Sequence, residues 1–290
     1  MSACHGCQEK TIIILHTNDT HSQIEPLEEG KRDEFCGGYA RRMGYIQQMR
    51  NEHPDLIVLD AGDFSQGTPY YNFYHGREEI DAMNRMQYDA ITLGNHEFDY
   101  GVDTLAMMLK MADFPIVCSN YDVRGTALEG LVQPYTIIKR AGLRVGVFGL
   151  GINPKGLIAE KNFAPIQYLD PIITAQEMAN ILRNNEKCDV VICLSHQGTH
   201  PGAHGQMSDM ELAEKWPKME NGISTISGCV IDETEDLSCI TSGGHGLGFF
   251  SIPPEQIVGM GITDIHVSHG RKELEPITTQ RVTIKFNYPK

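Results

Sequence analysis

A chain of 290 residues with 41% hydrophobic and 21% charged side chains has enough apolar material for a packed core, which argues against disorder. Its 24 Lys and Arg stand against 38 Asp and Glu, and the net charge of −14 disfavours wrapping around nucleic acid or lying on an anionic membrane. No apolar run approaches the roughly 18 residues a spanning helix needs, and the N-terminus lacks the apolar stretch of a secretory signal.

Residues 1–10 are expected to be disordered, and residues 11–290 to form one domain whose patterning fades after about residue 206. A β-branched run at 11–15 reads as the first strand, followed by Tyr39, Met43, Ile46 and Met49 at helical spacing. A second strand at 56–59 precedes Ile80, Met83 and Met86 on one helix face. A third at 91–93 precedes Leu105, Met108, Leu109 and Ala112. Runs at 116–118 and 145–150, the helical set Ile172, Ala175, Ala179 and Leu182, and a run at 190–194 continue the alternation. Strands this short and uniformly apolar are buried on both faces. The Met stripes read as core packing rather than a binding surface. Alternating strands and helices imply an α/β layered fold with mostly parallel sheets. Beyond residue 200, Gly, Ser and Pro accumulate around an acidic cluster at 232–236, so loops with scattered strands are expected there, including a short run at 262–267. The alternation RVTIKFN at 281–287 predicts a half-exposed strand.

Eight cysteines at 4, 7, 36, 118, 188, 193, 229 and 239 are too sparse for a disulfide scaffold. Cys118 and Cys193 fall in apolar runs and read as buried thiols. Cys4 and Cys7 form a CxxC with no second pair to complete a zinc site. Ser2-Ala3-Cys4 resembles the end of a bacterial lipoprotein signal, which would tether the protein by lipid outside the cytoplasm, in the periplasm or at the cell surface.

The chemistry lies in the residues just past each strand. The first run leads into HTNDTH, the second into DAGD, the third into GNHEFD and the run at 190–194 into SHQG. In a parallel sheet the carboxyl ends share one edge, where ligands bind, so four distant loops are expected to converge on one cleft. Asp19, His21, Asp63, Asn95 and His196 offer carboxylate, imidazole and amide oxygen, a donor set suited to Zn, Mn, Fe(II) or Co. Asp-x-His places both side chains on one face of an extended loop. A carboxylate such as Asp63 can bridge two cations roughly 3.5–4 Å apart. Each residue alone could be an ordinary loop group, with Asp63 a helix cap or His196 a strand-end histidine. The four clusters together point to a metal site.

LHTNDTH, DAGDFSQGTP, GNHEFDYG and LSHQG resemble, in that order, the motifs of the calcineurin-like metallophosphoesterases, in the branch of 5′-nucleotidases and 2′,3′-cyclic-nucleotide phosphodiesterases. The resemblance covers about residues 11–200. It implies a two-sheet β-sandwich flanked by helices, holding two divalent metal ions. Asp19 and His21 would bind the first metal, Asp63 would bridge, and Asn95 and His196 would bind the second. His96 and Asp99 would be the catalytic pair. The implied reaction is hydrolysis of phosphate monoesters, most often nucleoside 5′-monophosphates, by a hydroxide generated between the metals. Cyclic-nucleotide phosphodiester hydrolysis is the alternative within the class, and a noncatalytic metal-binding partner subunit the alternative outside it.

Two departures stand out. The family closes its site with a Gly-x-His-x-His loop giving one His to each metal, whereas SGGHGLGFF at 242–250 supplies His245 in the first position and Leu247 in the second. His266 and His269 in IHVSHG are further candidates. The nucleotidases it resembles also carry a C-terminal domain that selects the nucleoside. This sequence reaches Lys290 without one, so either a separate polypeptide supplies it or selection is looser.

Overall fold

The computed structural model describes residues 8–26, 37–198, 206–209, 211–212, 224–227, 262–271 and 277–286. In chain order the strands are β1 (Gln8–Thr17), β2 (Ile57–Asp60), β3 (Ala90–Ile91), β4 (Ile116–Val117), β5 (Tyr121–Asp122), β6 (Val132–Gln133), β7 (Tyr135–Arg140), β8 (Leu143–Leu150), β9 (Gln167–Tyr168), β10 (Val190–Ser195), β11 (Ser224–Ser227), β12 (Ile262–Arg271) and β13 (Ile277–Phe286). The helices are α1 (Tyr39–Glu52), α2 (Pro69–Tyr74), α3 (Arg77–Met86), α4 (Val102–Leu109), α5 (Glu160–Phe163) and α6 (Pro171–Asn180), with a 3₁₀ turn at His96–Phe98.

Seven strands form a first sheet in the order β12-β13-β1-β2-β3-β4-β6, and four form a second in the order β11-β10-β8-β7. From β1 to β6 the first sheet is parallel, whereas β13 runs antiparallel to both β1 and β12. In the second sheet β7 alone is antiparallel to its neighbour.

Period-two alternation divides β1, β2, β3 and β4 between two cores. Ile13, Leu15, Val58, Ile91 and Ile116 pack with Ile46 and Met49 of α1, Ile80, Met83 and Met86 of α3, and Leu105, Met108 and Leu109 of α4. Ile12, Ile14, Ile57, Leu59, Ala90 and Val117 face the other way, against Val145, Val147, Val190, Ile192 and Leu194 of the second sheet. The second sheet's outer face, with Phe148, Leu150, Val191 and Cys193, packs against Ala175 of α6 and Leu182. The result is four layers, helix–sheet–sheet–helix, with β2, β3, β4 and β10 buried on both faces. The sheets are in close contact at Gly149 of β8, where a Cβ would lie 2.0 Å from the Val117 carbonyl oxygen and 2.3 Å from Thr92 Oγ1.

The expected sandwich and all four helix stripes are present, and Cys118, Cys188 and Cys193 are buried free thiols. Three expectations need correction. Residues 8–10, expected to be disordered, belong to β1, because β13 lends a hydrogen-bonding partner along the whole strand from Gln8 to Thr17. The run at 262–267 is only the start of β12, which extends through polar residues because it pairs with β13. The four chemical loops also do not share one sheet edge: those after β1, β2 and β3 leave the first sheet, and that after β10 leaves the second. The lipoprotein-like Cys4, the CxxC, Cys36, Cys229, Cys239, the acidic cluster at 232–236 and His245 lie outside the described residues.

Candidate metal centre

The loops after β1 and β2 continue side by side past the end of the sheet. Ala61 N donates to Thr17 O at 2.9 Å, Asp19 N to Gly62 O at 3.0 Å, His21 N to Asp63 O at 3.0 Å and Ser22 N to Phe64 O at 2.9 Å. This shared path sets Asp19, His21 and Asp63 at φ 49°, 41° and 53°, in the left-handed region. Such conformations cost on the order of 1–3 kcal/mol each for residues with a Cβ and persist where surroundings over-determine them. The third loop closes on the second through two glycines. A Cβ on Gly62 would meet Gly94 N at 2.5 Å, and one on Gly94 would meet Asp63 Oδ1 at 2.2 Å.

This backbone brings together ligand atoms of Asp19, His21 and Asp63, all within 4.8 Å of one another. The Asn18 amide donates to Asp19, His21 Nε2 lies 3.6 Å from Asp19 Oδ1, and His21 Nδ1 faces Ser65 O at 3.3 Å. From the second sheet, His196 reaches Asp63 Oδ2 with Nε2 at 3.1 Å, while its Nδ1 contacts Ala61 O at 2.7 Å. A proton on Nδ1 satisfies that carbonyl and leaves Nε2 as the nitrogen available to a cation. Asp63 is thus within reach of both the Asp19–His21 group and His196. Asn95 follows Gly94 and precedes His96, whose N–H donates to Asp63 Oδ1 at 2.9 Å.

The predicted pair is formed: His96 Nδ1 lies 3.1 Å from Asp99 Oδ2. Its ring meets that of His21 edge-on at 5.4 Å. The hydrogen bond to Asp99 raises His96 above the ordinary histidine value, burial opposes it, and the Asp63 charge adds to the rise. For His21 the hydrogen bond to Asp19 raises, burial lowers, and Asp63 again raises. Burial depresses His196, yet attraction and hydrogen bonding to Asp63 carry it up to about 10 in the metal-free protein, so a cation at Nε2 would take the place of a proton. Burial would raise Asp63, but His196 holds it below the carboxylate range.

Two buried carboxylates inside the motif segments escaped the sequence reading. Glu97, 2% exposed, accepts from Asp63 N at 3.0 Å and Gly94 N at 2.7 Å on Oε2, and from Ser65 N at 3.1 Å on Oε1. Asp60 accepts from Gly62 N at 2.9 Å and Thr17 Oγ1 at 2.5 Å, and burial lifts it to about 7 despite those bonds. The signal for both was position, an acid inside each motif that the donor set did not use.

The residues fit divalent cations. Asp63 Oδ2 and Oδ1 are turned to different neighbours, and buried Asn95 carries an Oδ1 with no hydrogen-bond partner among the described residues, an arrangement that is costly unless another group meets it. Register sets His266 level with Thr283 and Thr11, and His269 level with Gln280 and Ile14. Both are therefore placed along the sheet, upstream of its carboxyl edge, two strands from β1.

The sequence profile described as "calcineurin-like phosphoesterase" matches residues 12–228. Over 213 residues, 70% of the chain and 38% of the relative, the sequence is 36% identical to the snake venom 5′-nucleotidase of Naja atra. The crystal structure of the 5′-nucleotidase precursor from Thermus thermophilus superimposes with a TM-score of 0.59 at 36% identity, covering 65% of this chain and 38% of that one. The NAD nucleotidase of Haemophilus influenzae gives 0.61 at 26% identity, with coverages of 80% and 40%. The matched part of the chain spans about two fifths of the length of these relatives. With its layered fold, its motif loops meeting at Asp63 and a profile match across most of its length, the chain belongs to the calcineurin-like phosphoesterase family.

Proposed function

We propose that the chain hydrolyses phosphate monoesters, with nucleoside 5′-monophosphates as the substrate class, at a pair of divalent cations of the Zn, Mn or Fe type. The position of Asp63 carries this reading: its carboxylate is shared between the Asp19–His21 group and His196, beside the His96–Asp99 pair. Asp19, His21 and Asp63 would hold one cation, and Asp63, Asn95 and His196 the other, with His245 the expected further ligand. Bound there, divalent cations supply Lewis acidity toward phosphoryl oxygens and bring the pKa of water toward neutrality.

The chain's own groups do the rest. Asp99 accepts the Nδ1 proton of His96 and raises its basicity, so Nε2 can hold a proton for the departing alkoxide. The Asp99 carbonyl accepts from the Asn162 amide at 2.7 Å and the His96 carbonyl from Tyr71 Oη at 3.1 Å, which ties the pair to α5 and α2. Burial of Asp63 and His196, 1% and 0% exposed, strengthens their electrostatics by excluding bulk water.

The 5′-nucleotidase relatives support the substrate class, and nucleoside selection by residues beyond the matched part, on this or a separate polypeptide, belongs to the same proposal. A periplasmic or cell-surface location is proposed from Ser2-Ala3-Cys4 and the venom relative. No helix among the described residues is long and apolar enough to cross a membrane. The deciding experiment is a panel of AMP, 2′,3′-cyclic AMP, NAD and mono- and bis-nitrophenyl phosphates with added Mn or Zn, alongside elemental analysis. Preferential release of phosphate from AMP is expected. Absence of turnover on every ester, with fewer than two metals bound, would favour the noncatalytic reading.

A further inference from the structure

We infer that Glu97 is a positioning residue for the cation pair, through three main-chain N–H groups rather than through any bond to a cation. The inference rests on the two-cation reading above and deepens it. Glu97 occupies the middle of the 3₁₀ turn, next to His96 and two residues from Asn95. Its carboxylate reaches back across the loop junction, where Oε2 takes the N–H groups of Asp63 and Gly94 and Oε1 takes that of Ser65. One side chain therefore fastens the loop bearing Asp63 to the loop bearing Asn95 and His96. Phe98 anchors the other end of the turn, fully buried against the rings of Tyr121 and Phe163 at 5.8 and 5.1 Å.

The geometry has no slack. Both oxygens are committed, the junction is closed by glycines that leave no room for a Cβ, and Asp63 is held at a positive φ that its neighbours must enforce. A shorter side chain at position 97 cannot span to three amides. An amide of equal length turns an –NH₂ toward at least one N–H donor. Either change frees the Asp63 backbone, so the carboxylate loses the orientation that lets it serve two groups of ligands. Groups that orient metal ligands from outside typically change affinity by about 10–100-fold when replaced.

The test is titration of metal-free protein with Co(II), read by calorimetry and by the visible d–d spectrum, for the wild type, Glu97→Gln and Glu97→Asp. Fewer than two equivalents on the wild type would overturn the two-cation reading itself. With two equivalents bound there, positioning predicts that both variants weaken Co(II) binding by about 10–100-fold and alter the spectrum. A role through charge alone predicts that Glu97→Asp behaves as wild type, and that result overturns the proposal, as does wild-type affinity and spectrum in Glu97→Gln. Hydrogen exchange on the unmutated, metal-free protein tests the same contacts without a variant. The amides of Asp63, Ser65 and Gly94 should exchange far more slowly than free-chain amides, and rapid exchange would overturn the assignment even if the variants fail to fold.

Discussion

The two sheets contribute to the site by different means. The first sheet supplies three loops stitched to one another by backbone hydrogen bonds and by Glu97, so Asp19, His21, Asp63 and Asn95 owe their positions to each other. The second sheet supplies His196, whose main chain is held by Leu150 O at 2.8 Å and whose place depends on how β8 and β10 pack on the first sheet. One half of the centre is set by bonding among its own loops, and the other by the fit of two apolar faces together with the His196 Nδ1 contact to Ala61 O at 2.7 Å. Damage to the loops and damage to the inter-sheet core should therefore be separable at the metal level.

The largest effect is expected where the halves meet. Asp63→Asn keeps the shape but removes the charge shared between Asp19–His21 and His196, so elemental analysis should show loss of both cations and activity should fall to background. Retention of two metals would break the view of Asp63 as the joint between the sheets. His96→Asn tests the opposite case, a group beside the joint that is proposed to hold no cation. Metal content should be unchanged while kcat falls by about 10²–10⁴, the usual worth of a general acid. Equal metal loss in the two variants would contradict the assignment.

A third variant strikes the inter-sheet core alone. Gly149→Ala places a methyl against the Val117 carbonyl and Thr92 Oγ1. Gly149 is in register with Leu194, two residues before His196. Overpacking of this kind costs typically about 1–3 kcal/mol, readable as a lowered denaturation midpoint. Calorimetry should find one cation site weakened and the Asp19–His21 site kept. Parallel weakening of both sites would show that the halves are not independent.

Legibility in the sequence divides along the same line. The loop residues were legible because each polar cluster interrupts an apolar strand, and the helix stripes because Met and Leu recur at helical spacing. Patterning alone did not separate the strands into two sheets, since strands buried on both faces look alike whichever sheet they join; only the resemblance of the motif loops to the family implied it. β12 and the start of β1 were underestimated because their extent depends on pairing with β13, a contact between chain ends. Glu97 and Asp60 were passed over because a carboxylate that binds main-chain amides looks, in sequence, like any other acid in a polar loop.

The smallest expected effect sharpens the loop half. Asp99→Asn leaves His96 in place but withdraws the hydrogen-bonded charge that raises its pKa. If His96 carries the proton for the leaving group, as proposed, the alkaline limb of the kcat profile should move to lower pH in the variant. The sign for stability agrees: a histidine raised above its unfolded value near 6.5 stabilises the fold below that pH and loses the contribution as pH rises through the raised value. Wild type and Asp99→Asn should thus differ in melting temperature at about pH 6 and converge at alkaline pH. The pair is half-exposed, with side chains 31% and 37% accessible, so the difference in melting should be small and the shift of the kinetic limb the clearer measurement. An unmoved limb would mean that the proton donor is not His96.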